Sequence, residues 1–148
     1  MRVKEYRFPV AVDWVGGRRV AARVGRKQPI ELAPPPEFRG TDPTLWSPED
    51  LFVAAAASCL AVTVTGLAER ERLPLQRLSV RGAGTVGRRS DGRFGFTRVE
   101  LELELETEPG REEDARRIAC TAEETCLVSV SLDLAVETRI AVSASRAA

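Results

Sequence analysis

The chain has 148 residues, of which 43% are hydrophobic and 30% are charged, and its formal net charge at pH 7 is zero. A chain of this length buries enough surface for one globular core, so residues 1–148 are predicted to form a single domain. The balanced charge gives no reason to expect nucleic acid or a membrane as a partner. Because we also expect no leader segment and no run of ~18 apolar residues, the protein is predicted to be cytoplasmic.

The first third of the chain is predicted to form three strands. Residues 3–14 are rich in β-forming side chains, and the pair Gly16-Gly17 that follows is typical of a hairpin turn. Residues 18–24 would be the returning strand, and residues 29–32 a short third strand. The proline-rich connector at 33–43 is predicted to contain no helix, because proline lacks the backbone N–H that a helix needs.

A long helix is predicted from Pro48 to about Arg70. Ser47 is a typical N-cap, Pro48 suits the first helical position, and Glu49 and Asp50 suit the positive end of the helix dipole. The helix interior is apolar on nearly every side, which is typical of a helix in the centre of a structure.

The second half of the chain predicts two further strands, a shorter helix and a last strand. Residues 75–86 and 94–107 flank a turn signal at 90–92 and would form a long antiparallel hairpin, since residues 99–106 alternate strictly between apolar residues and glutamate. Residues 112–125 read as an amphipathic helix and residues 135–142 as a strand. The predicted fold class is α+β, with curved antiparallel β-sheets packed on a long central helix and a shorter second helix.

The candidate chemistry rests on cysteine, because the chain contains no histidine. A thiolate beside a cation is the nucleophile that depends least on a neighbouring base, so the sequence favours sulfur chemistry assisted by arginine. The three cysteines, Cys59, Cys120 and Cys126, form no CxxC pair and are too few for a zinc site, so no metal or other cofactor is expected. We interpret Cys120 as a packing residue.

Several segments together resemble the OsmC/Ohr family of organic hydroperoxide resistance proteins. They are Gly16-Gly17-Arg18, the run from Pro48 to Phe52 with the alanine-rich helix to Ser58-Cys59, and the run from Glu124 to Ser129. The resemblance covers essentially the whole chain. It implies an intertwined homodimer with active sites at the interface that reduces organic hydroperoxides, with an external dithiol of the lipoyl type as reductant.

The resemblance also implies a role for four residues. Cys59 would be the peroxidatic cysteine and Cys126 the resolving cysteine, which condenses with the Cys59 sulfenic acid to form a disulfide. Arg18 would be the activating cation and Glu49 the carboxylate that holds it. Arg19 remains a competitor for Arg18, because neighbouring residues on a strand point to opposite faces.

Substrate contacts are predicted from the apolar residues near these positions. Leu51, Phe52, Leu60 and Trp46 would form an apolar lining that suits an alkyl or fatty hydroperoxide better than hydrogen peroxide. The family usually has proline directly after the second cysteine, and here Leu127 takes that place. The substitution leaves the disulfide geometry and the choice between the OsmC and Ohr branches open.

Helix geometry gives a separate argument for a dimer. Glu49 and Cys59 are ten residues apart, so on one straight helix they stand ~15 Å apart along the axis and about 80° apart around it. One glutamate cannot reach the cysteine of its own helix, so it would serve a second, antiparallel copy. The small residues 54–58 would allow two such helices to approach closely.

Plainer interpretations remain for each residue and for the function. Cys59 could be a core residue, Glu49 only a helix-dipole carboxylate, and Arg18 a surface residue. The protein could also be a non-catalytic stress-response or small-molecule-binding member of the same fold with vestigial thiols. A thiol-disulfide oxidoreductase acting on proteins is a third class, but no CxxC begins a helix here.

Overall fold

Two three-stranded sheets and two long helices make up most of residues 3–146, the part of the chain that the computed structural model describes. The α+β class predicted from the sequence is confirmed. The elements in chain order are β1 (Ala11–Gly16), β2 (Arg19–Arg23), β3 (Ile30–Leu32), α1 (Pro48–Arg70), β4 (Leu75–Arg88), β5 (Phe94–Thr107), α2 (Glu112–Thr125), the four-residue α3 (Leu127–Val130) and β6 (Ala135–Ala144).

The chain divides into two compact units, which are described separately. The first unit ends at Leu51 and the second begins at Phe52, so the boundary falls inside α1. The first unit contains the sheet β1-β2-β3, and the second contains the sheet β4-β5-β6 with α2 and α3.

The sheet of the first unit is built on the predicted hairpin. Gly16 and Gly17 have φ angles of 113° and 57°, which L side chains rarely adopt, and they connect β1 to β2. The first strand is shorter than the predicted 3–14. Pairing starts at Ala11 opposite Arg23, the last residue of β2, so residues 3–10 pair with no strand in the described part of the unit.

The connector contains a short helix that the sequence analysis did not expect. Pro36–Phe38 form one turn of 3₁₀ helix, with a proline at its start, where the missing N–H leaves no hydrogen bond unmade. Gly40 follows in close contact with the preceding prolines. Its N–H donates to Pro35 O at 3.0 Å, and a Cβ built on it would lie 1.7 Å from Pro34 O. The connector therefore folds back tightly on itself.

The start of α1 is confirmed as predicted, with a reciprocal cap. The N–H of Asp50 donates to Ser47 Oγ at 3.0 Å, and the N–H of Ser47 donates to Asp50 Oδ2 at 2.8 Å. Two donors at the helix terminus are satisfied in this way. The first turn of α1 is thereby fixed, and with it the position of Glu49.

The rest of α1 is buried along one side only. Only one stripe is buried, at every fourth residue: Ala56, Leu60, Val64 and Ala68. Another face, which carries Ser58 and Val62, is exposed, and Val62 is 63% exposed. An apolar helix is fully stabilised only when each of its faces is removed from water. The core of the second unit covers one face of α1.

The expectation that no run reaches the length of a membrane span is also wrong for α1. Its 23 residues contain an 18-residue window of mean hydropathy 2.1, of which 22% is buried. By length and composition the helix could cross a membrane, although the core helix of a soluble protein passes the same test.

The sheet of the second unit supplies most of the core. The strict alternation predicted for β5 is confirmed, since Val99, Leu101, Leu103 and Leu105 are all at most 1% exposed. They belong to one apolar cluster with the buried stripe of α1 and with four residues of α2, which are Ala115, Ile118, Ala119 and Ala122. The core of this unit therefore holds both α1 and α2 in place.

One strand runs against the predicted antiparallel arrangement. β4 and β5 form the expected antiparallel hairpin, but β6 pairs with β5 in parallel, from Arg98 opposite Ala135 to Thr107 opposite Ala144. The sheet is mixed because the chain leaves β5, passes through α2 and α3 and returns to the starting end of β5. The short α3 in this crossover, absent from the sequence prediction, begins directly after Cys126.

Candidate active site

The two predicted redox cysteines lie side by side in the second unit. Cys59 is on α1 and is half-buried, whereas Cys126 is between α2 and α3 and is 1% exposed. Cys59 packs against the buried apolar cluster that contains Cys126. Hydrogen bonding by Cys59 is one of the causes that lower the pKa of the Cys126 thiol, so the two cysteines are neighbours in the reduced protein.

Cys126 is the N-cap residue of α3, directly before Leu127. Burial alone would raise the pKa of the Cys126 thiol, but the contacts with Ser129, Cys59 and Val128 outweigh it and lower the pKa below its ordinary value. The surroundings of the buried Cys126 sulfur thus favour its thiolate form.

Leu127 occupies a position that suits proline as well as leucine. It is the first residue of α3, where a helix does not use the backbone N–H, and its side chain is 68% exposed. The effect of Leu127 on the geometry of the disulfide is not tested by the reduced protein and stays open.

Arg18 and Glu49 lie together in the first unit, at a cavity of about 320 Å³. The guanidinium of Arg18 donates to two backbone carbonyl oxygens, Phe38 O at 3.0 Å and Arg39 O at 2.8 Å. The apolar part of the wall comes from β2, β3 and the connector: Val20, Leu32, Ala33, Pro34, Pro35 and Phe38. A cation and a carboxylate therefore share one largely apolar cavity.

One carboxylate oxygen of Glu49 is suited to bind a cation. Its Oε2 atom is buried and has no hydrogen-bond partner within residues 3–146. A buried carboxylate oxygen without a donor costs free energy, and a guanidinium is the side chain best suited to satisfy it. Arg18, at the same cavity, is such a side chain.

Arg18 and Arg19 lie in different surroundings. Arg19 belongs to β2 and forms an ion pair with Glu31 at 3.6 Å, on a face where both side chains are about half exposed. Arg18 lies in the turn before β2 and lines the cavity of Glu49. The role of Arg18 as the activating cation stays a prediction.

The four residues predicted to contact substrate occupy different environments. Leu60 is a core residue, 1% exposed, and Phe52 stacks on Phe96 with ring centroids 4.2 Å apart. Trp46 is 53% exposed and forms a β-bridge with Leu32, and Leu51 is half-buried. The sequence analysis missed the wall residues of the cavity, because only the folding of the connector brings them together. A substrate role for the four residues stays a prediction.

Cys120 is exposed on α2, so its interpretation as a packing residue is wrong. It lies outside the buried stripe of that helix, which contains Ala119 and Ala122. Within residues 3–146, no group of three or more Cys, Asp or Glu side chains is arranged to hold a metal ion.

A family model described as OsmC-like protein matches residues 40–141. The chain belongs to the OsmC-like family. The matched range of this OsmC-like chain contains Glu49, Cys59 and Cys126, and Arg18 precedes it. The resemblance seen in the sequence motifs is confirmed. A search of curated proteins finds no match.

Solved structures share the OsmC-like fold over nearly the whole chain. An OsmC-like protein of unknown function from Vibrio cholerae is 19% identical, with a TM-score of 0.84, and the match covers 92% of this chain and 99% of that one. An organic hydroperoxide resistance protein from Elizabethkingia anophelis is 20% identical, with a TM-score of 0.74 and coverages of 96% and 99%. At such identity, the similarity shows the fold alone.

Proposed function

We propose that this OsmC-like protein is a thiol-dependent peroxidase that reduces organic hydroperoxides to alcohols. The observation that carries the proposal is that Cys59 packs against the buried cluster that contains Cys126, where it helps to lower the pKa of the Cys126 thiol. Two neighbouring cysteines, one half-buried and one buried, form a unit that can be oxidised to a disulfide and reduced again. The structural similarity to a protein named for organic hydroperoxide resistance agrees with this chemistry.

The first half-reaction consumes one hydroperoxide. The Cys59 thiolate attacks the outer peroxide oxygen, the O–O bond breaks, and the alkoxide takes a proton to leave as an alcohol. Cys59 is then a sulfenic acid. The Cys126 thiolate attacks the Cys59 sulfur, hydroxide leaves and is protonated to water, and the disulfide between Cys59 and Cys126 forms.

Arg18 and Glu49 supply the electrostatic part of the mechanism. The guanidinium of Arg18 would stabilise the Cys59 thiolate and the alkoxide that leaves from the peroxide, while Glu49 orients the guanidinium. Arginine does not give up its proton, so it acts by charge and hydrogen bonds. The apolar wall beside Arg18 and Glu49 suits an alkyl hydroperoxide.

We further propose that Arg18 and Glu49 of one copy serve the cysteines of another in a homodimer. The exposed face of α1 carries mostly small residues around Val62: Ala55, Ser58, Thr65 and Gly66. Small residues let two helix backbones approach closely, and an uncovered apolar face of this kind is stabilised when a second copy covers it. An antiparallel arrangement would bring the start of one helix toward the middle of the other.

Replacing Val62 by arginine is expected to convert the dimer to a monomer and to abolish turnover, because a buried charge would separate the two helices. Sedimentation velocity and a peroxidase assay measure the two effects. Val62→Ala keeps a small apolar residue and is expected to retain both the dimer and the activity. A monomeric native protein, or a Val62→Arg protein that stays dimeric, would show that this face of α1 is not the interface.

We also propose a compartment and a reductant for the reaction. The described cysteines are all free thiols, which suits the reducing cytoplasm. An external dithiol of the lipoyl type would restore Cys59 and Cys126 after each turnover. Neither nucleic acid nor a membrane takes part in the reaction.

Mass spectrometry after one equivalent of cumene hydroperoxide tests the function. We expect the loss of two hydrogens and a peptide that links Cys59 to Cys126, with Cys120 unmodified. If both thiols remain reduced after minutes of exposure, the protein is a non-catalytic binding member of the family instead. Steady-state assays with dihydrolipoamide, thioredoxin and glutathione then identify the reductant.

A further inference from the structure

We propose that Arg39 and Gly40 are positioning residues, which shape the turn formed by residues 35–40 so that its backbone holds the guanidinium of Arg18 at the cavity of Glu49. The inference rests on the proposed function, in which this guanidinium acts on the thiolate. The position of Arg18 is itself a matter of geometry, so it can be tested without the reaction.

Two backbone carbonyls of the turn hold one nitrogen of the guanidinium. Nη1 of Arg18 donates to Phe38 O at 3.0 Å and to Arg39 O at 2.8 Å. A guanidinium presents five N–H donors in one fixed plane, so two hydrogen bonds from one nitrogen restrict the whole group and leave the donors of Nη2 and Nε for an anion. Glu49 lines the same cavity, and its buried Oε2 atom has no donor within residues 3–146. The turn thus holds the side of the guanidinium that the carboxylate and the thiolate do not need.

The hydrogen bonds within the turn explain why these two carbonyls face an outside donor. The N–H groups of Phe38 and Gly40 donate to Pro35 O at 2.9 and 3.0 Å, and that of Arg39 donates to Pro36 O at 3.0 Å. The internal bonds therefore end on the first carbonyls of the turn. The last carbonyls, at 38 and 39, need a donor from elsewhere, and Arg18 supplies it.

Backbone shape, rather than side-chain chemistry, gives the two positioning residues their role. Arg39 has φ 63° and ψ 32°, in the left-handed region that glycine adopts easily and that β-branched residues avoid. A Cβ at Gly40 would lie 1.7 Å from Pro34 O and 2.9 Å from Pro35 O, so a side chain there forces the turn open. Both residues therefore fix the direction of the carbonyls that hold Arg18.

A pair of variants at residue 39 tests the position of Arg18. Arg39→Gly and Arg39→Val both remove the side chain, but only glycine keeps the left-handed conformation without strain. Each protein reacts with phenylglyoxal, which modifies guanidinium groups, and mass spectrometry of the peptides gives the rate at Arg18. We expect Arg18 to react roughly tenfold faster in Arg39→Val than in Arg39→Gly, because the carbonyls no longer hold it.

An internal reference makes this comparison quantitative. Arg139, whose side chain is 84% exposed in the second unit, should react equally in both proteins. Equal rates at Arg18 in the two variants overturn the inference, and so does a faster reaction in Arg39→Gly.

Gly40→Ala tests the second residue. The added methyl group opens the turn, so Arg18 should react roughly tenfold faster than in the native protein. Gly87→Ala is the matched control, because a Cβ at that position meets only Thr97 Cγ2, at 3.8 Å, and leaves the rate at Arg18 unchanged. A native rate in Gly40→Ala, or an equal acceleration in both variants, contradicts the role of Gly40. If circular dichroism shows that Gly40→Ala is unfolded, the comparison at residue 39 decides.

A double-mutant cycle connects the turn to catalysis. Arg39→Val should lower kcat/KM about tenfold relative to Arg39→Gly, mainly through kcat, and the two should be equal in a protein that already carries Arg18→Met. A difference of the same size in both backgrounds would mean that the turn acts on folding alone, which overturns the inference. If the native protein shows no turnover, the proposed function fails, while the labelling of Arg18 still decides whether the turn holds this residue.

Discussion

Replacing Cys59 by serine is expected to abolish the reduction of organic hydroperoxides, with kcat/KM falling by more than about a thousandfold. A serine hydroxyl is not ionised at neutral pH and cannot form a sulfenic acid, so neither the attack nor the disulfide is possible. Serine is nearly the size of cysteine, and residue 59 is only half-buried, so the fold should be retained. Consumption of cumene hydroperoxide with a dithiol reductant measures the loss.

Two other cysteine variants separate the roles in this reaction. Cys126→Ser should still be oxidised once at Cys59, and the sulfenic acid should persist long enough to be trapped with dimedone. Cys120→Ser should keep native turnover, because Cys120 lies on the exposed side of α2. Full activity in Cys59→Ser, or a large loss in Cys120→Ser, would show that the wrong sulfur has been assigned.

Replacing Arg18 by methionine is expected to lower kcat/KM by about a hundred- to a thousandfold, the usual loss when one donor to a developing anion is removed. Methionine keeps a long apolar side chain at the cavity but removes the charge and the hydrogen bonds. The loss should appear mainly in kcat, because the guanidinium acts on the charge that develops during peroxide cleavage. Steady-state kinetics with an alkyl hydroperoxide give both constants.

Arg19→Met provides the matched control for Arg18. Arg19 forms an ion pair with Glu31 on an exposed face, and such pairs contribute little to stability. The variant should therefore keep nearly native kinetics. If Arg19→Met lost activity and Arg18→Met did not, the two residues would have to exchange roles. Arg18→Lys should recover only part of the rate, because lysine lacks the planar fork that pairs with a carboxylate.

Local patterns predicted most of the elements, because the forces behind them act between near neighbours in the chain. The cap at Ser47 and the proline after it begin α1 as predicted, and strict alternation identifies β5. The helix α2 begins and ends where the amphipathic pattern of residues 112–125 predicts. The glycine pair at 16–17 fixes the first hairpin.

The parallel pairing of β6 could not be predicted in the same way. Strand direction depends on where the crossover through α2 and α3 returns the chain, and no local pattern records that. The short α3 was missed because four residues are too few for a periodic signal. It nevertheless contains Ser129 and Val128, which are among the causes that lower the pKa of the Cys126 thiol.

The sequence by itself determined which residue types are available for chemistry, because a chain without histidine has few nucleophiles. The motifs around Cys59 and Cys126 identified these two cysteines as the candidates. Only the tertiary structure decided that Cys59 packs against the cluster containing Cys126, that the surroundings of Cys126 lower the pKa of its thiol, and that Arg18 rather than Arg19 lines the cavity of Glu49. These relations depend on contacts between segments far apart in the chain. Hydrogen bonds and burial at such contacts are set by packing, which residue order does not reveal.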